Sequence, residues 1–255
     1  MQNQYILTPF VLDKPRPGLE PFRQADWQMI KPILPEGTTE ERMLALFRPL
    51  VSHVAEAVAA GKRPIAINGD CCAAIGVLAG LQQAGVDPTL IWLDAHADYN
   101  TWETTPSGFL GGMPLAMMVG LGDMTLVNGT GMTHINPERI IASDFRSLDP
   151  PEVAALQNSP MTILYNMTEL LTYPLPDKPL WVHFDTDVMD ANDLKASNYP
   201  EPHGPSLETF RQLFRRLADT GRLIAISVSS WNPDLDQQDR AGKLIMELVA
   251  ELAAG

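Results

Sequence analysis

Cysteine is almost missing from this chain: Cys71 and Cys72 are the only two in 255 residues. They are adjacent, and a disulfide between neighbours is strained. The sequence therefore supports no disulfide framework, and a reducing, cytoplasmic setting is expected. No run of about 18 apolar residues occurs, which excludes a membrane-spanning helix. The opening Met1-Gln-Asn-Gln-Tyr5 lacks a basic stretch leading into an apolar one, so no secretory leader is expected. Basic residues are also scarce, 18 Lys and Arg against 31 Asp and Glu, for a formal charge of −13. With no basic run to track phosphates, a nucleic-acid partner is excluded.

What is present is ordinary globular material: 45% hydrophobic and 19% charged residues, enough to bury a sizeable core and too apolar for disorder. Short apolar runs at 64–68, 89–93, 139–143, 161–164, 180–184 and 222–228 read as buried strands. Helical patterns lie between or beside them at 43–60, 73–84, 206–220 and 239–254. In the third of these, Leu207, Phe210, Phe214 and Leu217 share one face, and Ser206 is placed to cap its start. Strands alternating with helices predict an α/β fold: one three-layer domain over residues 1–255, a mostly parallel central sheet with helices on both faces. Such sheets bind ligands beyond the carboxyl ends of their strands, so the residues after each apolar run matter most.

Two of those runs end in acidic motifs. The first is followed by Asp94-Ala-His96-Ala-Asp98-Tyr-Asn100, the second by Asp185-Thr-Asp187-Val-Met-Asp190. At a spacing of two on extended backbone, Asp94, His96 and Asp98 point to one side, as do Asp185 and Asp187. A single Asp after a strand is usually a turn or cap residue. Four carboxylates and an imidazole at one sheet edge would repel too strongly to be left unneutralised. Divalent metal resolves this, and oxygen-rich donors with imidazole suit Mn²⁺ and its neighbours.

The stretch Asp94 to Thr101, with Thr104-Thr-Pro-Ser-Gly108 and Gly112-Met-Pro-Leu-Ala116, resembles the central signature of the arginase/agmatinase (ureohydrolase) superfamily. Phe184-Asp-Thr-Asp-Val-Met-Asp190 resembles its second metal motif, Gly69-Asp70 the start of its first, and Asn232-Pro233 its last. The resemblance implies an arginase-like fold and two manganese ions per chain. It implies Cys71, Asp94, Asp98 and Asp185 around the first ion, and His96, Asp94, Asp185 and Asp187 around the second, with Asp190 supporting the loop. It also implies a bridging hydroxide that attacks the trigonal carbon of a guanidine-like substrate, with Asp98 serving the reaction as well as the metal. Family members are often oligomers, so a homo-oligomer acting on a small molecule is expected.

Three positions depart from that pattern. Cys71 stands where the family has His, a softer ligand that favours zinc or iron more than imidazole does. Gly111 stands where arginases carry a proton-shuttling His; His203, in a loop beyond the Asp185 motif, is the candidate replacement. Ser230 stands where arginases place the Glu that pairs with the guanidinium, and a hydroxyl cannot reproduce that bidentate contact. Asn100, Ser107 and Asp149 match positions that hold the amino-acid end of arginine, whereas Arg146 reads as a structural ion-pair residue. Cys71 together with Gly111 is similar to the branch containing an N-hydroxyarginine hydrolase of D-cycloserine biosynthesis. Hydrolysis of such a weakly basic amidino acid to hydroxyurea and ornithine is the leading expectation. Hydrolysis of formiminoglutamate or another linear amidine is the alternative within the family, and a non-catalytic binding or assembly protein the alternative outside it.

Overall fold

The computed structural model describes residues 1–236 and 239–255. One sheet of eight parallel strands runs through it. Its members are β1 (Gln2–Thr8), β4 (Gln28–Met29), β5 (Lys62–Asn68), β6 (Thr89–Leu93), β7 (Ile140–Ser143), β8 (Thr162–Leu164), β9 (Leu180–Asp185) and β10 (Leu223–Ser229), in the spatial order β4-β1-β5-β10-β9-β6-β7-β8. A small antiparallel pair, β2 (Phe10–Val11) with β3 (Lys14–Pro15), stands apart from it. The helices are α1 (Thr39–Ala59), α2 (Ala73–Gln83), α3 (Pro114–Met118), α4 (Thr125–Thr130), α5 (Pro150–Gln157), α6 (Met167–Leu170), α7 (Leu207–Asp219) and α8 (Arg240–Leu252).

Alternation along the strands divides the core in two. Leu90, Trp92, Ile140, Ala142 and Trp181 pack with α1, α2 and α3 on one face. Ile91, Leu93, Val182, Phe184, Ile226 and Val228 pack with α7 and α8 on the other. This is the three-layer arrangement read from the sequence, because a strand buried on both faces is apolar at every position. Ser206 caps α7 by accepting the amide of Thr209, as its sequence position suggested. Helix α1 starts four residues before the apolar periodicity does. Thr38 accepts the Glu41 amide and the Glu41 carboxylate accepts the Thr38 amide, a reciprocal cap that fixes the helix start ahead of its buried stripe.

Strand register levels the functional ends. Ser229 of β10 sits opposite Asp185 of β9, Phe184 opposite Leu93 of β6, and Val228 opposite Ile67 of β5. The turns after β5, β6, β9 and β10 therefore open at one edge of the sheet. No helix among the described residues is long and apolar enough to cross a membrane.

Candidate metal centre

Each acidic motif folds into a tight turn held by its own first carboxylate. Asp94 Oδ1 accepts the amide of His96 at 2.8 Å, and Asp185 Oδ1 accepts the amide of Asp187 at 2.9 Å. After β5, Asp70 does the same, accepting the Cys72 amide at 2.8 Å and the Leu12 amide. These local bonds turn the second and third acidic groups back toward the sheet edge. Asp98 completes its turn with a positive φ of 50°, a conformation Asp tolerates better than most residues, and its carbonyl accepts the amides of Leu115 and Ala116.

The turns bring the side chains together. Cys71, Asp94 and Asp98 have ligand atoms within 4.8 Å of one another, and so do Asp94, His96 and Asp187. Cys71 Sγ lies 2.6 Å from Asp185 Oδ2, which joins Asp185 to the first group. The Nδ1 atom of His96 lies 3.0 Å from Asp187 Oδ2 and 3.7 Å from Asp94 Oδ1. Asp94 is further fixed from below by Trp92, whose indole N–H donates to Oδ2 at 3.1 Å.

Burial makes this concentration of charge expensive. Burial and the field of Asp187 push the Asp185 carboxyl up to about 7. Burial and neighbouring Asp185 push Asp94 up to about 6, and burial with Asp94 does the same for Asp187. Asp98 is held well above the usual carboxylate range for the same reasons. Burial opposes a charge on His96, but its hydrogen bonds to Asp187 and Asp94 outweigh that and push it up to about 12. The Cys71 thiol is raised by burial and by Asp185. In addition, Asp98 Oδ2 is buried with no hydrogen-bond partner. An oxygen-rich, mutually repelling, partly unsatisfied donor set fits divalent cations: a bound cation reverses every one of these shifts.

Above the cluster lies a cavity of about 330 Å³ lined by Asn100, Ser107, Phe109, Asp149, Tyr199 and Ser230, among others. Asn100 Nδ2 donates to Asp149 Oδ2 at 2.8 Å, and Asp149 also caps α5 through a reciprocal bond with Glu152. Ser107 is exposed at the rim, where its hydroxyl accepts the Phe109 amide at 3.2 Å. Ser230 has φ 63° and donates its hydroxyl to Asp185 Oδ2, so it braces the cluster as much as it faces the cavity.

Not every expected residue joins the site. His203 is exposed, has φ 64° and does not line the cavity. The Asp190 carboxylate accepts the amides of Asn192 and Gly204, and that short closure turns His203 outward. The structure thus gives no support to His203 as a proton carrier. Conversely, several residues escaped the sequence reading. Phe109 and Tyr199 meet over the cavity with ring centroids 5.5 Å apart. His183 is buried beneath the cluster, stacked on Trp92 at 3.8 Å, with Nε2 3.2 Å from Ser229 Oγ; burial pushes its imidazole down to about 3. Its position two residues before Asp185, on the same side of β9, was the signal available.

The arginase family model matches residues 16–255. The chain belongs to the arginase family. It is 33% identical over 223 residues to an arginase of Bacillus subtilis, covering 82% of this chain and 75% of that one. It is 24% identical over 255 residues to an N(omega)-hydroxy-L-arginine amidinohydrolase of Streptomyces lavendulae, covering 98% and 86%. The crystal structure of the Bacillus subtilis arginase superposes with a TM-score of 0.85 at 28% identity, covering 100% of this chain and 99% of that one. As an arginase-family member, the chain is a ureohydrolase-type hydrolase, and its buried acidic cluster groups side chains that could hold metal ions.

Proposed function

We propose that this protein hydrolyses the amidino C–N bond of an N-hydroxyarginine-like amino acid, water adding to the amidino carbon and ornithine leaving as hydroxyurea forms. One observation carries this reading. The position where arginases hold a carboxylate against the guanidinium is Ser230, and its hydroxyl is committed to Asp185. A full guanidinium entering there meets no bidentate partner at that point, while an N-hydroxyguanidine, being less basic, needs none.

Two divalent cations, manganese expected, would be held by Cys71, Asp94, Asp98 and Asp185 and by Asp94, His96, Asp185 and Asp187, and would acidify a water between them. The rest is the work of the chain. Asn100 and Asp149, joined by their hydrogen bond, stand where the amino-acid end is held. Asp98, whose Oδ2 has no hydrogen-bond partner, is the residue this reading assigns to take the proton the attacking water gives up. Phe109 and Tyr199, whose rings meet 5.5 Å apart in the cavity lining, would limit water there once substrate is bound. The intact cluster also argues against a non-catalytic role. Arginine is the second reading, favoured by the 33% identity to an arginase. Comparing kcat/KM for N-hydroxyarginine and arginine in one manganese buffer decides between them. We expect at least a tenfold preference for the hydroxylated substrate, about 1.4 kcal/mol of transition-state binding; equal values, or a preference for arginine, overturn the proposal.

A further inference from the structure

Beyond the cluster, residues 190–204 form a loop that Arg146 pins in place. Its guanidinium donates to the carbonyls of Pro202, Asp187, Met189 and Glu201 at 3.0–3.3 Å while pairing with Asp144 at 2.7 Å. The amides of Arg146 and Ser147 in turn donate to the carbonyl of Ala95, the residue beside His96. Arg146, through its guanidinium on one side and its backbone amide on the other, thus ties the loop after β9 to the turn after β6. The tie delivers Glu201 to His96. Glu201 Oε1 accepts the Ser147 hydroxyl at 2.9 Å and lies 3.5 Å from His96 Nε2. The other ring nitrogen, Nδ1, faces Asp187 and Asp94.

The imidazole therefore has one edge toward the metal cluster and one toward a carboxylate. A ligating histidine needs its lone pair on the metal side and its N–H on the other. A carboxylate at the far nitrogen fixes that tautomer, holds the ring plane and strengthens the ligand. We propose that Glu201 is a positioning residue for His96, the outer member of a carboxylate–histidine–metal relay that sets the affinity of the second metal site. This rests on the reading that His96 ligates that ion.

Manganese binding to the dialysed full-length protein tests it, followed by calorimetry and by the electron paramagnetic resonance of free ion. In Glu201→Ala the second ion's dissociation constant is expected to rise about 10–100-fold, with the first ion's unchanged. Glu201→Gln keeps an oxygen acceptor, so it is expected to lose less, and it carries the test if the alanine variant does not fold. A long-range ¹⁵N–¹H spectrum of the zinc-loaded protein should show His96 protonated at Nε2 in the wild type, and a shifted Nε2 resonance in both variants. Unchanged second-site affinity and an unchanged His96 resonance in both variants overturn the inference. Asp94→Asn, measured alongside, separates the two failures. If it abolishes metal binding while the Glu201 variants do not, only the role of Glu201 falls; if it also binds normally, the two-metal reading falls with it.

Discussion

The ring of Phe109 lies so close to Gly111 that a Cβ added there would stand 2.3 Å from Phe109 Cε1. The place that a histidine side chain would enter at this position is thus already filled by an aromatic one. Gly111→His alone is expected to lower stability and to leave arginine turnover unimproved, because the new imidazole must first displace Phe109 from Tyr199. In the background of Phe109→Ala the same change should be tolerated. Thermal unfolding of the two single variants and the double variant should reveal a coupling of about 0.5–3 kcal/mol, the range for residues in contact. Additive effects would show that the ring swings aside freely.

Asp94→Asn and Asp185→Asn are each expected to remove nearly all turnover, a loss greater than the roughly 100-fold reached by changes to groups that merely support a ligand. An amide offers one neutral oxygen where the cluster needs a carboxylate facing two directions: Asp185 alone touches Cys71, Ser229 and Ser230. Steady-state rates and metal content by elemental analysis check this. A variant retaining a tenth of the wild-type rate contradicts it.

Cys71 faces Asp185 and Ser229 at 2.6 and 3.0 Å. A thiolate ligand there is expected to give the cobalt-loaded protein a sulfur-to-metal absorption band that disappears in Cys71→Ser. Cys71→His should hold manganese at the first site more tightly, since imidazole suits that ion better than thiolate does. Faster loss of manganese from the histidine variant on dialysis would rule Cys71 out as a ligand.

The raised carboxyl groups fix the sign of a pH effect. Asp185 titrates near 7 and Asp94 and Asp187 near 6 in the metal-free fold, against an ordinary value of 3.8. Their contribution to stability is therefore complete below about 4 and is lost as pH rises through 6 to 7, where the unfolded chain ionises freely and the cluster does so only against burial and repulsion. Metal-free protein should melt at a higher temperature at pH 5 than at pH 7.5. Manganese should reverse the order, because binding requires the ionised forms. Thermal melts with and without the ion, at both pH values, provide the check; a metal-free protein that is more stable at pH 7.5 contradicts the assignment.

The sequence displayed the strands that carry continuous apolar runs, since β5, β6 and β9 are buried on both faces along those runs. It concealed β1, whose polar start Gln2-Asn3-Gln4 is exposed or half-buried and whose apolar end is short. The two-residue β4 has no pattern to show. Within the site, Asp94, His96, Asp98, Asp185 and Asp187 were visible because local turns cluster them along the chain. Tyr199 and Phe109 at the cavity and Glu201 beside His96 were not, because each is brought there by a loop whose course is fixed by distant partners such as Arg146, and no spacing announces that. His203 shows the same limit: nearness in sequence to a functional loop says little about which way a loop residue faces, and this one lies exposed outside the cavity.

The sheet order has a consequence for how the molecule comes into being. Strand β10 lies between β5 and β9, although nearly all the chain precedes it. Until it is made, β4, β1 and β5 share no strand-to-strand hydrogen bonds with β9, β6, β7 and β8, and the turns that carry Cys71 and Asp185 extend from two separate parts of the sheet. A growing chain on the ribosome therefore cannot present a complete ion-binding pocket before residue 229 has emerged. A cation held by that cluster would then act as a seal on a finished sheet rather than as a seed for its assembly, and any truncation upstream of β10 should leave two sticky half-sheets with open edges, which is the form in which such a chain meets chaperones.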